Sequence, residues 1–196
     1  YKETDTLGGK DIYSGSKGAA ELIIKSYYHS FFNKDESNVR ITTTRAGNVV
    51  GGGDWAKDRI VPDCMRAWSK NETVEIRSPN ATRPWQHVLE PISGYLNLGQ
   101  LLNRNKNLSG ESFNFGPKSQ HSFKVKKLIK DLSKHWDIQD LSKAYKITNN
   151  IKFHEAGLLK LNCDKALFYL KWLPILNYEQ LIEFTGSWYY NFYKEQ

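Results

Sequence analysis

A run of β-branched residues that empties into a glycine-rich stretch constrains this chain more than any other feature. Val39-Arg-Ile-Thr-Thr-Thr-Arg45 reads as a strand. It runs straight into Ala46-Gly-Asn-Val-Val-Gly-Gly-Gly-Asp-Trp55, which reads as a flexible glycine-rich loop. Ile60 to Trp68 then has the periodicity of a helix, with Pro62 in its first turn, where a missing amide is tolerated. The same alternation recurs along the chain. Ile12 to Phe32 predicts a long helix capped by Asp11, and Thr73 to Arg77 a short strand before a turn at Ser78-Pro-Asn80. Trp85 to Leu89 is extended, Pro91 to Leu102 helical, and Glu111 to Phe115 a strand ending at Gly116-Pro117. Phe123 to Trp136, Lys165 to Leu170 and Glu179 to Tyr193 complete the helices. Strands alternating with helices predict an α/β fold.

Composition narrows the function classes. Over 196 residues, 39% hydrophobic and 13% aromatic content is enough for a packed core and too much for a disordered chain. The two cysteines, Cys64 and Cys163, stand far apart without a CxxC or Cys/His cluster, so neither a disulfide framework nor a zinc site is expected. No metal is expected elsewhere: His154-Glu155 reads as a capped turn, lacking further ligands at suitable spacing. The apolar run near Leu167 to Leu176 is broken by Lys171 and Pro174, which argues against a membrane span. A net charge of +7 suits an anionic partner. The lysines at 124, 126, 127, 130 and 134 flank the apolar set Val125, Leu128, Ile129 and Leu132, as on a solvated amphipathic helix. With no nucleic-acid-binding motif present, a small anion such as a nucleotide is favoured over a polynucleotide. The chain opens on YKETD without an initiator Met or a leader-like segment, so it is expected to start mid-protein or to be processed.

Tyr13-Ser-Gly-Ser-Lys17 is the most informative local pattern. On a helix, residues i and i+4 share a face, so the Lys17 ammonium can sit near the Tyr13 phenol. A phenol with pKa of about 10 is a poor base at neutral pH. A cation within roughly 4–6 Å lowers that by about 1–3 units, which allows a tyrosine to take a proton from an alcohol. Proton removal of that kind accompanies hydride transfer to a nicotinamide. Composition alone yields about one YxxxK by chance, and Tyr190 to Lys194 is a second instance, read as such a coincidence. The small residues Ser14, Gly15, Ser16, Gly18, Ala19 and Ala20 favour the first, because they leave room for a cofactor or a close helix.

A second constellation is Arg83-Pro84-Trp85 with His87 and Glu90. Arg83 on extended backbone can offer a planar fork to a phosphate, or can be an ordinary surface cation. His87 alone reads no better than a satisfied strand histidine. Arg59 is a further phosphate or base contact, or a cation solvated near Asp58. The glycine run GNVVGGG lacks both the GxGxxG spacing of a dinucleotide cradle and the lysine of a P-loop.

Five strings, in order, resemble the CDP-glucose 4,6-dehydratase family of extended short-chain dehydrogenases/reductases: ETDTLGGKDIYSGSKGAAEL, TTRAGNVVGGGDWAKDRIVPD, RSPNATRPWQHVLEPISGYLNL, FNFGP and LKLNCDKALFYLKW. The resemblance extends from Tyr1 to Trp188. It implies a partial Rossmann-type domain that binds NAD, with a smaller C-terminal lobe for the nucleotide sugar. The implied division is residues 1–72 for the dinucleotide-binding part with the YxxxK helix, and residues 73–196 mainly for the substrate lobe, interleaved with the Rossmann core. The implied activity is a lyase reaction that dehydrates CDP-glucose to CDP-4-keto-6-deoxyglucose, for deoxysugars of surface polysaccharides such as lipopolysaccharide O-antigen. A hydride leaves sugar C4 and returns at C6, so NAD is unchanged overall.

By the same resemblance, Tyr13 and Lys17 are the catalytic pair and contact the cofactor. Asn48 contacts substrate, Arg59 and Arg83 lie near the nucleotide and its diphosphate, and Asn114 lies near the ligand. His87 stands where sister enzymes carry an aromatic residue. Gly157-Leu158 departs from the family pattern after His154-Glu155-Ala156. The glycine-rich cradle and the acid and base for water elimination are expected to precede Tyr1, so the chain alone is expected to be inactive. A cytoplasmic enzyme is implied, a homodimer when complete, with neither nucleic acid nor membrane as partner. The alternatives are another nucleotide-sugar epimerase or reductase of the same fold, and a non-catalytic nucleotide-sugar-binding lobe.

Overall fold

In the computed structural model, residues 1–118, 122–148 and 160–195 are described. They gather into two compact units, each assembled from three stretches of chain. The first comprises Tyr1–Ala46, Pro91–Gly116 and Leu161–Leu173; the second comprises Gly47–Glu90, Pro117–Lys160 and Pro174–Gln196.

In the first unit, helix α1 (Ile12–Tyr27) begins where Asp11 accepts a hydrogen bond from the Ser14 amide at 3.0 Å, an ordinary N-cap. The regular helix ends at Tyr27, and Tyr28–Phe32 continues as a wider π-helical turn. The expected strand from Val39 starts later. Only β1 (Thr43–Ala46) pairs, running parallel to β6 (Ser112–Phe115) with Arg45 opposite Asn114. Upstream, Ile41 donates its amide to Ser109 Oγ and Thr42 donates its hydroxyl to the Glu111 carbonyl, so these residues bond outside the ladder. The core of this unit joins Phe113 and Phe115 of β6 to Leu98 of α3 (Leu89–Arg104), Leu108, Trp172, and Ala166 and Leu170 of α6 (Asp164–Leu170). Phe115 packs edge-on against Tyr95 and Trp172, with centroids 5.4 and 5.0 Å away. Such contacts are worth about 0.5–1.5 kcal/mol each beyond area burial.

In the second unit, the stretch expected to be a flexible loop contains a strand. β2 (Asn48–Val50) runs parallel to β5 (Trp85–His87), pairing Asn48 with Trp85 and Val50 with His87. Val49 and Val50 suit a pleated ladder, and the glycines that mask this in the sequence come only afterwards. Helix α2 (Ile60–Trp68) follows, with Pro62 inside its first turn, and buries Val61, Cys64, Met65 and Trp68. β3 (Val74–Ile76) pairs in parallel with β8 (Tyr145–Ile147), a strand the sequence reading did not anticipate, as was the short helix α5 (Leu141–Ala144) before it. The helix expected from Phe123 to Trp136 is shorter. Phe123 and Lys124 form β7, antiparallel to β4 (Thr82–Arg83); α4 spans Val125–Ser133, and a 3₁₀ turn at Lys134–Trp136 ends it. Helix α7 (Tyr178–Lys194) opens with a capping box between Asn177 and Gln180 and buries Leu181, Ile182, Thr185 and Tyr189.

Candidate active site

Tyr13 and Lys17 lie one turn apart on α1, and the Lys17 ammonium nitrogen sits 5.6 Å from the centroid of the Tyr13 ring. Tyr13 is 72% exposed. The pair stands beside a cavity of about 230 Å³, also lined by Ser14, Glu21, Arg45 and, from the N-terminal segment, residues 1–2 and 5–8. Just upstream, hydrogen bonds from the Ser14 hydroxyl and amide hold the Asp11 carboxyl below its ordinary range. The space left by the small residues of α1 is taken at one point by backbone. A Cβ on Gly18 would stand 2.7 Å from the Gly8 nitrogen, so only glycine lets that segment lie on the helix.

Asn114 belongs to the same unit and is fully buried on β6. Its side-chain amide donates to the carbonyls of Tyr1 and Asn162 at 3.2 and 3.1 Å, and its backbone amide donates to Glu3 at 2.8 Å. It therefore ties the N-terminal segment and the start of the 161–173 stretch to β6. Its Oδ1 is buried without a hydrogen-bond partner among the described residues.

The other four candidates belong to the second unit. Asn48 opens β2, and its Oδ1 is likewise buried without a partner among the described residues. A buried carbonyl oxygen in that condition costs about 1–3 kcal/mol until a donor reaches it. His87, on the neighbouring strand, is 7% exposed, accepts the Leu89 amide at Nδ1 and meets the Phe184 ring edge-on at 5.7 Å. Burial pushes its pKa below the usual 6.5. Arg83 is buried in β4, where one guanidinium nitrogen donates to the Thr82 carbonyl at 3.0 Å. Arg59 is exposed at the N-cap of α2 and pairs with Asp54 at 3.3 Å.

Glu90, grouped by the sequence with Arg83 and His87, is committed to backbone. Its carboxylate accepts the amides of Ile175 and Leu176. Several partners of these residues escaped the sequence reading. The segment 54–56 is clamped by the Tyr189 hydroxyl, which bonds both the amide and the carbonyl of Asp54, and by Arg66, which donates to the carbonyls of Trp55 and Ala56. Burial, ahead of the nearby Asp54 and Tyr193, pushes the Tyr189 phenol up to about 12. Arg45 grips Glu21 through Nε and Nη2 at 2.7 and 2.6 Å. Glu21 could have been found from spacing, since it extends the Tyr13, Lys17 interval by another four residues. His154-Glu155 and Gly157-Leu158 lie outside the described residues. Among the described residues, no cluster of His, Cys, Asp or Glu is placed to hold a metal ion, and no helix is long and apolar enough to cross a membrane.

The chain is 43% identical over 177 residues to CDP-glucose 4,6-dehydratase from Salmonella typhimurium, an alignment covering 89% of this chain. Its resemblance to CDP-glucose 4,6-dehydratase therefore holds. The alignment covers 48% of that relative, so the chain spans about half the length of the curated protein it matches. No family model matches. Among solved structures, dTDP-glucose 4,6-dehydratase from Streptomyces venezuelae, with NAD and TYD bound, superposes with a TM-score of 0.79 at 18% identity. That match covers 97% of this chain and 54% of the other. UDP-glucuronic acid 4-epimerase from Bacillus cereus, in complex with UDP-glucuronic acid and NAD, gives 0.76 at 16% identity, covering 97% and 60%. The fold is accordingly that of these solved structures over 97% of the chain, a partial Rossmann-type α/β domain.

Proposed function

We propose that this chain is the relay-bearing and substrate-binding part of an NAD-dependent nucleotide-sugar 4,6-dehydratase, with CDP-glucose as substrate. The observation that carries the reading is the Tyr13–Lys17 pair, exposed beside a cavity on α1, in a chain 43% identical to a CDP-glucose 4,6-dehydratase. Its residues fit the nicotinamide-ribose end of the cofactor: a phenol hydroxyl and an ammonium share one accessible helix face. When bound, NAD supplies a hydride acceptor for sugar C4 and a donor for C6. Tyr13 takes the proton of the 4-hydroxyl. Lys17 stabilises by its charge the phenolate that accepts this proton, and donates to the ribose. The buried Asn48 Oδ1 accepts from a substrate hydroxyl, which satisfies an oxygen otherwise left without a donor. Arg59 and Arg83 supply charge-assisted donors for the diphosphate, and Asn114 and His87 are further ligand contacts in this reading. The exposed Leu22, Ile23, Tyr27 and Phe31 support a homodimer seated on α1, and a cytoplasmic location follows from the same reading.

Turnover tests the proposal in the longest reading frame that contains this chain, supplied with NAD. CDP-glucose is expected to yield the 4-keto-6-deoxy product, with dTDP- and UDP-glucose converted poorly. Tyr13→Phe is expected to lower turnover by at least about 10²-fold while CDP affinity stays within a few fold. Inversion at C4 without loss of water would replace the dehydratase with an epimerase. Turnover retained in Tyr13→Phe would remove Tyr13 from its role.

A further inference from the structure

We propose that Arg45 is a positioning residue for the Tyr13–Lys17 pair: by gripping both oxygens of Glu21, it keeps that carboxylate from drawing the Lys17 ammonium away from Tyr13. The inference builds on the reading of Tyr13 as proton acceptor, though the geometry behind it is independent of that reading.

Tyr13, Lys17 and Glu21 follow one another at intervals of four residues, so they stack along one face of α1, about 6 Å apart along the axis per step. Lysine and glutamate at this interval ordinarily pair. Such a pair would spend the ammonium's field on Glu21 and place a carboxylate next to a phenol that must become an anion. Here the pair is not made. Lys17 forms no ion pair among the described residues, and its nitrogen lies over the Tyr13 ring. Glu21 turns instead to β1, where the Arg45 fork takes Oε1 through Nε at 2.7 Å and Oε2 through Nη2 at 2.6 Å. Both side chains are four-fifths buried, which shields this contact from salt better than an exposed lysine pair. A planar bidentate fork competes well for a carboxylate against a flexible ammonium.

Other charges face the pair. Lys2 and Asp5 come from the N-terminal segment, and the Asp5 carboxylate is occupied by the Lys2 backbone amide at 2.9 Å. Asp11 is held by Ser14 at the start of α1. Lys25 lies one turn beyond Glu21 and is the rival destination for a freed carboxylate.

A double-mutant cycle on the chain separates these possibilities. The ¹³Cζ resonance of Tyr13, assigned by its loss in Tyr13→Phe, is followed through an alkaline titration at about 10 mM salt, where the screening length is about 30 Å. Arg45→Met is expected to move the Tyr13 midpoint to higher pH. Glu21→Gln is expected to move it to lower pH, leaving Arg45 as an added cation. The double variant should return it close to the starting value, and all shifts should shrink at about 1 M salt, where the screening length is about 3 Å. Circular dichroism verifies that each variant is folded, and Glu21→Gln keeps the test alive if Arg45→Met is not. An unmoved midpoint in both single variants overturns the proposal, as does a freed Glu21 that settles on Lys25. A shift in Arg45→Met that Glu21→Gln does not reverse also overturns it, because a merely structural arginine would behave that way. None of these readouts involves turnover, so failure of the dehydratase reading would show separately, as activity retained in Tyr13→Phe.

Discussion

Helices α1 and α7 are nearly the same length, 16 and 17 residues, and each carries a tyrosine with a lysine four residues later. The lysine sits over the tyrosine ring in both, at 5.6 Å for Lys17 over Tyr13 and at 4.2 Å for Lys194 over Tyr190. The tighter of the two belongs to the pair read as coincidence. Internal geometry therefore cannot mark a relay, because any helix brings i and i+4 together. Surroundings separate the two. Tyr190 meets Trp136 edge-on at 5.7 Å on a helix that buries six of its residues. Tyr13 lines a cavity on a helix that buries only Gly18. One tyrosine belongs to packing and the other is available for chemistry.

The largest effect that can break this contrast is core deletion. Leu181→Ala on α7 removes a side chain 2% exposed and is expected to cost about 2–5 kcal/mol. Leu22→Ala on α1 removes one 56% exposed, and should stay within about 0.5 kcal/mol if α1 faces solvent. Urea denaturation of both variants measures the difference. If Leu22→Ala costs as much as Leu181→Ala, α1 is covered in solution. Concentration dependence of that cost would then point to a second copy.

Glycines sharpen the contrast at the next magnitude. A Cβ on Gly52 would fall within the Trp188 indole, so Gly52→Ala is expected to destabilise by about 1–3 kcal/mol. A Cβ on Gly15 of α1 meets nothing within 4 Å, and Gly15→Ala should stabilise by about 0.4–1 kcal/mol through lost freedom in the unfolded chain. Thermal melts of the two variants should move in opposite directions. Equal destabilisation would mean that Gly15 is in close contact in solution.

The glycine pair also shows how far the sequence was legible. Periodicity and a capping aspartate reveal α1, because both signals are local. The proline in the first turn of α2 is local in the same way. The run Gly51-Gly52-Gly53 looks like slack in the chain, yet at Gly52 it is a seat for Trp188, a residue far along the sequence. Nothing local reports that. For the same reason β2 passed as loop: its partner is β5, and its two valines are too short a run to outweigh the glycines. At the candidate site, the residue types were legible while their commitments were not. Arg59 is engaged by Asp54 and Arg83 by the Thr82 carbonyl, partners close in sequence that carry no pattern of their own, while Asn114 is engaged by backbone at Tyr1 and Asn162, contacts set by tertiary packing. Tyr13 and Lys17 were the most legible because their relation is contained within one helical turn.

His87 supplies the smallest expected effect and the one most dependent on sign. Its ring is buried on β5, and Nδ1 already accepts the Leu89 amide, so a proton there would cost both solvation and that hydrogen bond. Burial lowers its folded pKa below 6.5, while the unfolded chain keeps the ordinary value. Between the two values the unfolded state binds more protons, so the stability His87 contributes is complete above about pH 6.5 and is lost as pH falls through the folded pKa. The slope from this one group is at most about 1.4 kcal/mol per pH unit. Asp131 acts elsewhere on the scale. Burial raises its pKa, but the Lys127 and Lys134 ammoniums outweigh that, so its contribution is lost only below its ordinary 3.8. Urea midpoints at about pH 7.5 and about pH 5 therefore isolate the histidine from this carboxylate. The unmodified chain is expected to lose stability across that interval, and His87→Gln to lose measurably less. An equal loss in both would mean that the ring is not held neutral, and that solvent or an anionic ligand reaches β5 in the free protein.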